Sequence, residues 1–179
     1  MKIFFKLFLL LFFSLNSHAY EIESLNSKYE NGRFTIDSKA IINAKKERVF
    51  QILTNYEELP KLSSKIIYSK IIDQNTNFTK VTSKAQSCVL FFCQKIINTQ
   101  LVRVKGDQIT AETVAVESDL KFGQMNWQIE EKSGKTHINY SATIELKFFV
   151  PPVIGTYFVK HLLEKEAKEI LKNVERLSI

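Results

Sequence analysis

The chain has 179 residues, 25 of them basic and 19 acidic, for a formal net charge of +6. This length allows one domain with a full hydrophobic core and leaves little room for a second. The charges are spread along the sequence without a long Lys/Arg block. Composition therefore does not favour nucleic-acid binding, and it indicates at best a mild attraction to anionic membrane surfaces.

The N-terminal segment 1–19 has the layout of a secretory signal peptide. Lys2 and Lys6 precede an uncharged apolar run, residues 7–13. This run is far shorter than the roughly 20 residues that a membrane span requires. Ser17 and Ala19 supply small residues at the −3 and −1 positions. We therefore predict cleavage before Tyr20, with an uncleaved anchor as the alternative.

Cleavage would leave a mature chain of 160 residues, with 23 basic and 19 acidic side chains. We predict that residues 20–179 form a single domain. Export favours the periplasm as its location, and secretion beyond the cell stays open. The residue directly after the predicted cleavage site is Tyr20 and not a cysteine, so the sequence does not indicate a lipid-modified N-terminus.

The mature sequence begins with a polar, acidic segment, and residues 33–42 then alternate apolar and polar side chains, which predicts a first strand. Helical spacing over residues 45–56 predicts a helix, followed by a short turn. From residue 65 to residue 147, strand patterns alternate with turn signals at 73–77, 105–108 and 132–135. This pattern indicates about six strands in antiparallel meander order.

Two prolines, Pro151 and Pro152, stop the last predicted strand. Apolar residues then recur at helical intervals from Ile154 to Leu177, which predicts a long amphipathic helix. The order of elements is strand, short helices, six strands and long helix. It predicts an α+β architecture in which one helix covers one face of an antiparallel sheet.

The chain resembles the START-like superfamily (SRPBCC), the helix-grip fold shared by START lipid-transfer domains, polyketide cyclases and aromatases, and coenzyme Q-binding proteins. Residues 42–60 look like that family's first strand running into a helix that ends at a tyrosine and a proline. Residues 124–129, 136–140, the double proline and the final helix look like its C-terminal half. The resemblance covers residues 33–177, and none of its motifs is catalytic.

The resemblance implies a curved sheet of about seven strands gripping the C-terminal helix, with an elongated apolar cavity between them. Such cavities bind lipids, isoprenoid quinones, polyketides or sterols. The alternative is that the same apolar residues form an ordinary core. The candidate lining residues are Phe34, Ile36, Phe122, Met125, Trp127, Tyr140, Phe158 and Leu162.

Cys88 and Cys93 are the only cysteines, and export to an oxidising compartment favours their pairing. The predicted strands on either side of them would be hairpin partners, which brings residues flanking a four-residue loop within the Cα separation that a disulfide requires. So small a loop gains less chain-entropy stabilisation than a long one. We expect the disulfide mainly to fix the shape of the loop.

The loop between the cysteines is entirely apolar, and a hairpin tip cannot bury four large side chains within its own strands. Three explanations compete: the tip folds over the cavity mouth as a lid, dips into a membrane, or docks on a protein partner. Lys84 and Lys95 beside it would suit anionic headgroups. The alternative is a buried strand over residues 88–93. The loop residues are Val89, Leu90, Phe91 and Phe92.

Signals of catalysis are weak, and we assign no catalytic residue. His137 and His161 are isolated, although a cavity-facing His161 could act as an acid or base. Arg103 and Glu117 lie on predicted neighbouring strands and could pair or orient a ligand. Neither a nucleophile motif, a phosphate-binding glycine loop nor a metal-ligand cluster is present in the sequence, and the C-x4-C spacing does not favour redox catalysis.

The sequence therefore predicts an exported protein that binds a hydrophobic small molecule, such as a lipid or isoprenoid, and carries it between membranes or holds it near one. We expect no cofactor, no metal and no nucleic-acid partner, and the oligomeric state is left open. One rival is a cyclase or aromatase using the same cavity, which would require convergent polar side chains inside it. The other rival is an interaction module that docks through the apolar tip.

Overall fold

A computed structural model describes residues 20–89, 92–152 and 154–179 of the chain. The strands are β1 (Tyr20–Glu30), β2 (Arg33–Ile42), β3 (Ile66–Gln74), β4 (Thr79–Val89), β5 (Phe92–Lys105), β6 (Gln108–Thr113), β7 (Leu120–Lys132) and β8 (Lys135–Leu146). The α-helices are α1 (Lys46–Thr54) and α2 (Ile154–Ser178), and two short 3-10 helices span Tyr56–Lys61 and Ala115–Glu117.

All eight strands form one open sheet in the order β1-β2-β8-β7-β6-β5-β4-β3. Every neighbouring pair is antiparallel, so β1 and β3 are the two edges. One face of the sheet, which we call the inner face, packs against α1 and α2. This is the α+β helix-grip architecture that the sequence predicts, with eight strands in the described residues where about seven are expected.

The additional strand is β1, which lies in the segment that the sequence analysis described only as polar and acidic. Its residues pair with β2 from Tyr20 opposite Ile42 to Glu30 opposite Arg33, with a register shift between Ile22 and Ser24. β1 is an edge strand whose side chains are exposed or only partly buried. An edge strand needs few apolar residues, and this is why its hydrophobic pattern is weak.

The main core lies between the inner face of the sheet and the two α-helices. Ile42, Ile129 and Ile138 from three neighbouring strands are almost completely buried there. Val49 of α1 and Val174 of α2 close the same cluster. A second, smaller cluster lies at the opposite end of the sheet, where Val159 and Leu163 of α2 pack on Phe34, Leu120 and Leu146.

Helix α2 lies to one side of the inner face. Its backbone approaches mainly β1, β2 and α1. Ser27 of β1 donates a hydrogen bond to Glu164 of α2, and the backbone N–H of Asn43, just after β2, donates to Glu175 Oε2 at 2.9 Å. These polar contacts join the helix to the β1–β2 edge.

Cys88 and Cys93 form the predicted disulfide, with their Cα atoms 3.9 Å apart. They face each other directly across the β4–β5 hairpin, which confirms that the strands flanking them are hairpin partners. Leu90 and Phe91 of the predicted apolar tip lie outside the described residues, as do the side chains of Val89 and Phe92. The predicted signal peptide, residues 1–19, lies outside them too.

We predict that replacing both cysteines by serine lowers the free energy of unfolding by about 2 kcal/mol, because the disulfide closes only a short loop. The sheet should remain intact, since β4 and β5 pair along their whole length. Urea unfolding followed by circular dichroism measures the change. A loss of the folded baseline would contradict a role confined to the hairpin.

Glu175 generates a prediction about pH. Its side chain is 1% exposed, and this burial raises the pKa of its carboxyl above the ordinary value, although the hydrogen bond from Asn43 partly opposes the shift. The folded protein therefore holds this proton more tightly than the unfolded chain does. The Glu175 contribution to stability is present in acid and falls as pH rises through about 4.5 and above.

Glu175→Gln should consequently gain stability relative to wild type between pH 4 and pH 7. Glu130→Gln is the matched control, because Lys132 lowers the pKa of the Glu130 carboxyl and its removal should change the pH dependence in the opposite direction. Unfolding free energies of the three proteins across this pH range provide the measurement. Parallel pH profiles would contradict the assignment.

Candidate functional site

The inner face of the sheet carries no charged side chain on β4, β5 or β6. The strand register places uncharged polar residues and apolar residues there, while Lys80, Lys84 and Glu112 fall on the outer face. The inner-face residues of β3 to β6 near the middle of these strands are Ser69, Ile71, Val81, Ser83, Ala85, Asn98, Gln100, Val102, Ile109, Ala111 and Thr113.

Four of these side chains form a polar row across the sheet. Ser69 is opposite Ser83, Ser83 is opposite Asn98, and the Thr113 hydroxyl donates a hydrogen bond to Asn98 Oδ1 at 3.0 Å. Since Oδ1 accepts this bond, the Asn98 amide keeps its Nδ2 donor for another partner. The Oγ atom of Ser69 is buried without a hydrogen-bond partner in the part of the chain described.

The polar row is only partly covered by the rest of the molecule. Ser83, Asn98, Gln100 and Thr113 stay partly exposed, although they lie on the same face as the buried core. Further from the disulfide, the inner-face residues of the same strands are buried in the main core with α1 and α2: Val81, Val102, Ile109 and Ala111. The part of β3–β6 nearer the disulfide, together with the facing side of α2, is the candidate site.

Two of the predicted lining residues face the candidate site from α2. Phe158 and Leu162 are partly buried and lie one helical turn apart, in a stripe that continues to Glu166. Glu166 contacts Ser63, which lies between the first 3-10 helix and β3. The stripe therefore faces the β3 side of the molecule, away from β1.

The predicted lining residues on β2 and β8 have different environments. Phe34 and Ile36 are 2% and 3% exposed, on the inner face beneath α2, so the core already covers them. Tyr140 lies at the centre of the sheet, with its ring centroid 4.2 Å from that of Trp127. Trp127 and Met125 lie on the same inner face of β7 and border the polar row.

Phe122 is the exception, and its assignment as a lining residue is wrong. A register shift between Leu120 and Phe122 places Phe122 opposite Glu145, whereas Gly123 faces Ile144. Phe122 therefore lies on the outer face, with the guanidinium carbon of Arg33 4.1 Å from the centroid of its ring. The bulge that reverses the alternation leaves no signal in the apolar pattern.

Two polar groups beneath α2 add hydrogen-bonding capacity to the inner face. Burial raises the pKa of Tyr140 to about 12, so its hydroxyl is protonated at neutral pH. Ser38, opposite Tyr140 on β2, is buried, and its Oγ has no hydrogen-bond partner among the described residues.

Glu166 of α2 is a further polar group at the candidate site. Burial raises the pKa of its carboxyl, with the Ser63 hydrogen bond opposing the shift.

The polar row could not be identified from the sequence because serine, asparagine and threonine at alternate strand positions are equally typical of a solvated face. The expected polar candidates lie elsewhere. Arg103 pairs with Glu112 at 3.2 Å, and Glu117 pairs with Lys80 at 2.7 Å, so Arg103 and Glu117 do not pair with each other.

The histidines are also placed away from the candidate site. His161 is exposed and stacks on the outward-facing ring of Tyr157, so it does not face the cavity. His137 alternates with the inner-face residues of β8 and lies on the outer face. Within the described ranges, no cluster of side chains has the composition of a metal site, and no described helix is long and apolar enough to cross a membrane.

Gly123 controls the shape of the polar row. A Cβ atom added to it would overlap Thr113 Oγ1 and lie 3.0 Å from Thr113 Cβ. We predict that Gly123→Ala costs about 1 to 3 kcal/mol of stability through overpacking. The cost should be smaller in a Thr113→Ala background, where Oγ1 is gone.

A double-mutant cycle of unfolding free energies tests this contact. Additive costs would show that the added methyl group clashes with a neighbour other than the Thr113 hydroxyl. Thr113→Ala alone also removes the hydrogen bond to Asn98, so it serves as the reference for the cycle.

Sequence comparison gives one family match. The family described as "Polyketide cyclase / dehydrase and lipid transport" matches residues 42–173, which include the polar row and most of α2. No curated protein shows significant sequence similarity to the chain.

Solved structures share the fold at low sequence identity. A START superfamily protein from Mycobacterium smegmatis superposes with a TM-score of 0.64 at 17% identity, covering 80% of this chain and 98% of that one. The Zhui aromatase/cyclase from Streptomyces sp. R1128 gives 0.69 at 9% identity, covering 82% and 93%.

A STAR-related lipid transfer protein from Xanthomonas axonopodis gives a TM-score of 0.61 at 11% identity, covering 86% of this chain and 96% of that fragment. At these identities the similarity establishes the helix-grip fold. It extends over nearly the full length of each of the three structures.

Proposed function

Because the chain belongs to the polyketide cyclase/dehydrase and lipid transport family, we propose that it binds a hydrophobic small molecule between α2 and the part of β3–β6 nearer the disulfide. The observation that supports this most strongly is the partial exposure of the neutral polar residues Ser83, Asn98 and Thr113, which lie on the inner face beside buried core residues.

The chemistry of the face narrows the class of ligand. Its polar groups are hydroxyls and amides, and the strands that form it contribute no cation. A buried phosphate or carboxylate would require a cationic partner. We therefore propose a neutral ligand, such as an isoprenoid quinone, a sterol-like molecule or an uncharged lipid, whose hydroxyl or carbonyl bonds to Asn98 and its neighbours.

The N-terminal sequence supports an exported carrier. A cleavable signal peptide over residues 1–19 and the Cys88–Cys93 disulfide are both typical of a protein that works in an oxidising compartment. We propose the periplasm as its location and transfer or storage of the ligand near a membrane as its role.

Cyclase chemistry is the second candidate function, and one contact favours it. The hydrogen bond from Thr113 orients the Asn98 amide with a free donor toward the site, a geometry that could polarise a substrate carbonyl. A binding protein releases the same molecule that it binds. A cyclase converts it, so mass analysis of the ligand before and after incubation distinguishes the two.

Leu162→Trp tests the proposal by filling the space that faces the polar row. We expect the amount of bound lipid to fall at least about tenfold relative to wild type. The added ring occupies space that the ligand needs, which should weaken the binding free energy by at least about 1.4 kcal/mol. Native mass spectrometry with organic extraction, on protein purified from its export compartment, measures the bound ligand.

Lys168→Trp is the matched control, since it adds the same ring at an exposed position of the same helix. It should keep the ligand. Two results would contradict the proposed site. One is a wild-type protein that carries no hydrophobic molecule when purified from that compartment, and the other is equal ligand content in Leu162→Trp and Lys168→Trp.

A further inference from the structure

Three of the most exposed apolar side chains are close to one end of the molecule. Val116 is 90% exposed in the 3-10 helix Ala115–Glu117, Phe149 is 80% exposed in the loop after β8, and Tyr157 is 68% exposed in the first turns of α2. We call this end of the molecule the apolar end. Single exposed apolar side chains are common, but several of them close together mark a candidate interaction surface.

Hydrogen bonds join the segments that carry Val116 and Phe149. The ammonium group of Lys147, two residues before Phe149, donates to the backbone oxygen of Ala115 at 2.7 Å. The backbone N–H of Lys147 donates to the oxygen of Asp119 at 3.1 Å. The 3-10 helix and the loop after β8 are therefore neighbours held in fixed positions.

The segment after β8 is also anchored from below. Phe148 and Val150, on either side of Phe149, pack into the small core cluster with Val159 of α2. Because both neighbours pack in the core, the backbone at Phe149 is fixed and its side chain points to solvent. The exposed aromatic ring is therefore part of an ordered surface.

A cleft of about 390 Å³ opens beside the exposed aromatic ring of Phe149. Its walls combine aromatic and cationic side chains, which is the combination that suits a lipid headgroup with the start of its chains. Its lining includes Tyr29, Phe34, Lys121, Lys147, Phe148 and Phe149.

The charges around the cleft favour an anionic partner. Glu145 is shared by two cations, Arg33 at 3.3 Å and Lys121 at 3.5 Å. Lys147 has no ion-pair partner in the described part of the chain, since its ammonium group bonds a backbone oxygen. Glu117, beside Val116, is paired with Lys80. The carboxylate of Asp119 accepts a hydrogen bond from the Ile97 backbone N–H at 2.8 Å and has no ion-pair partner among the described residues. Four cations, Arg33, Lys80, Lys121 and Lys147, therefore accompany three carboxylates, Glu117, Asp119 and Glu145, which leaves one positive charge in excess.

We infer that the apolar end docks on a membrane surface that contains anionic phospholipid. Phe149 and Val116 insert at the boundary between headgroups and acyl chains, and Lys121 and Lys147 contact lipid phosphates. The Cys88–Cys93 end of the β4–β5 hairpin lies toward this end as well, because Ile96 near it packs on the same small core cluster as Phe148 and Val150. A protein partner is the competing occupant.

The test uses vesicle flotation with the mature protein and vesicles of phosphatidylcholine, with and without phosphatidylglycerol. Wild type should bind the anionic vesicles and lose binding in high salt. Phe149→Asp should bind at least about tenfold more weakly, because it replaces the aromatic ring that inserts into the membrane by a carboxylate. Lys147→Gln should weaken binding to the anionic vesicles only.

Ile179→Asp is the matched control. Ile179 is 87% exposed, as the apolar end's side chains are, but it lies after the last turn of a 25-residue helix, about 37 Å from the start of that helix. It should bind vesicles as wild type does. Thermal unfolding of all variants verifies that they are folded.

Equal vesicle binding by Phe149→Asp and Ile179→Asp would overturn the inference, as would a wild type that binds no anionic vesicles. The inference would also be overturned if wild type bound no vesicles but captured a protein from the export compartment that Phe149→Asp did not capture. The apolar end would then be a protein-binding surface. Phe149→Asp should still carry its internal ligand, so ligand content separates this outcome from failure of the proposed binding site.

Discussion

The packing of α2 against the β1–β2 edge is the constraint on which the rest of the structure depends. The helix is held there by apolar contacts and by hydrogen bonds to Glu164 and Glu175 from the first two strands. At its C-terminal half, Asn173 also donates to the backbone oxygen of Leu62 at 3.0 Å. The C-terminal half of the helix is thus held from both sides, by the β1–β2 edge and by the segment before β3. The part of the inner face nearer the disulfide is left partly exposed.

The composition of the partly exposed part of the inner face determines which ligands it can bind. Two kinds of residue alternate along the strands: charged residues face outward, and serine, threonine, asparagine and glutamine face inward beside the apolar core. Neutral polar groups can bond a ligand without the large desolvation cost of a buried ion. The neutral polar side chains can therefore hydrogen-bond to water when no ligand is bound, and to a ligand with one or two polar atoms when it is bound.

Much of the fold could be predicted from the sequence, because periodicity reflects burial directly. The alternation over β2 and the helical spacing after Pro152 each correspond to an element that packs one face on the core. β1 escaped prediction because an edge strand needs little apolar surface. Phe122 was misplaced because the register shift at Leu120 reverses the alternation, and sequence alone does not reveal a bulge.

The candidate site was harder to predict than the fold for a different reason. Its polar residues, such as Asn98 and Thr113, become significant only when strands distant in sequence bring them side by side. Histidine and charged residues attract attention in a sequence, yet His161 and Arg103 lie at the surface. A site built from neutral side chains has no local motif, and only the register of the sheet reveals it.

The most direct test of the account is a crystal structure of residues 20–179 obtained from protein purified without detergent from the organism that makes it. The account predicts electron density for an elongated molecule between Leu162 and the Asn98–Thr113 pair, with a polar atom of that molecule within hydrogen-bonding distance of Asn98 Nδ2. A structure in which protein side chains fill that space and the helix contacts β4 and β5 directly would contradict it.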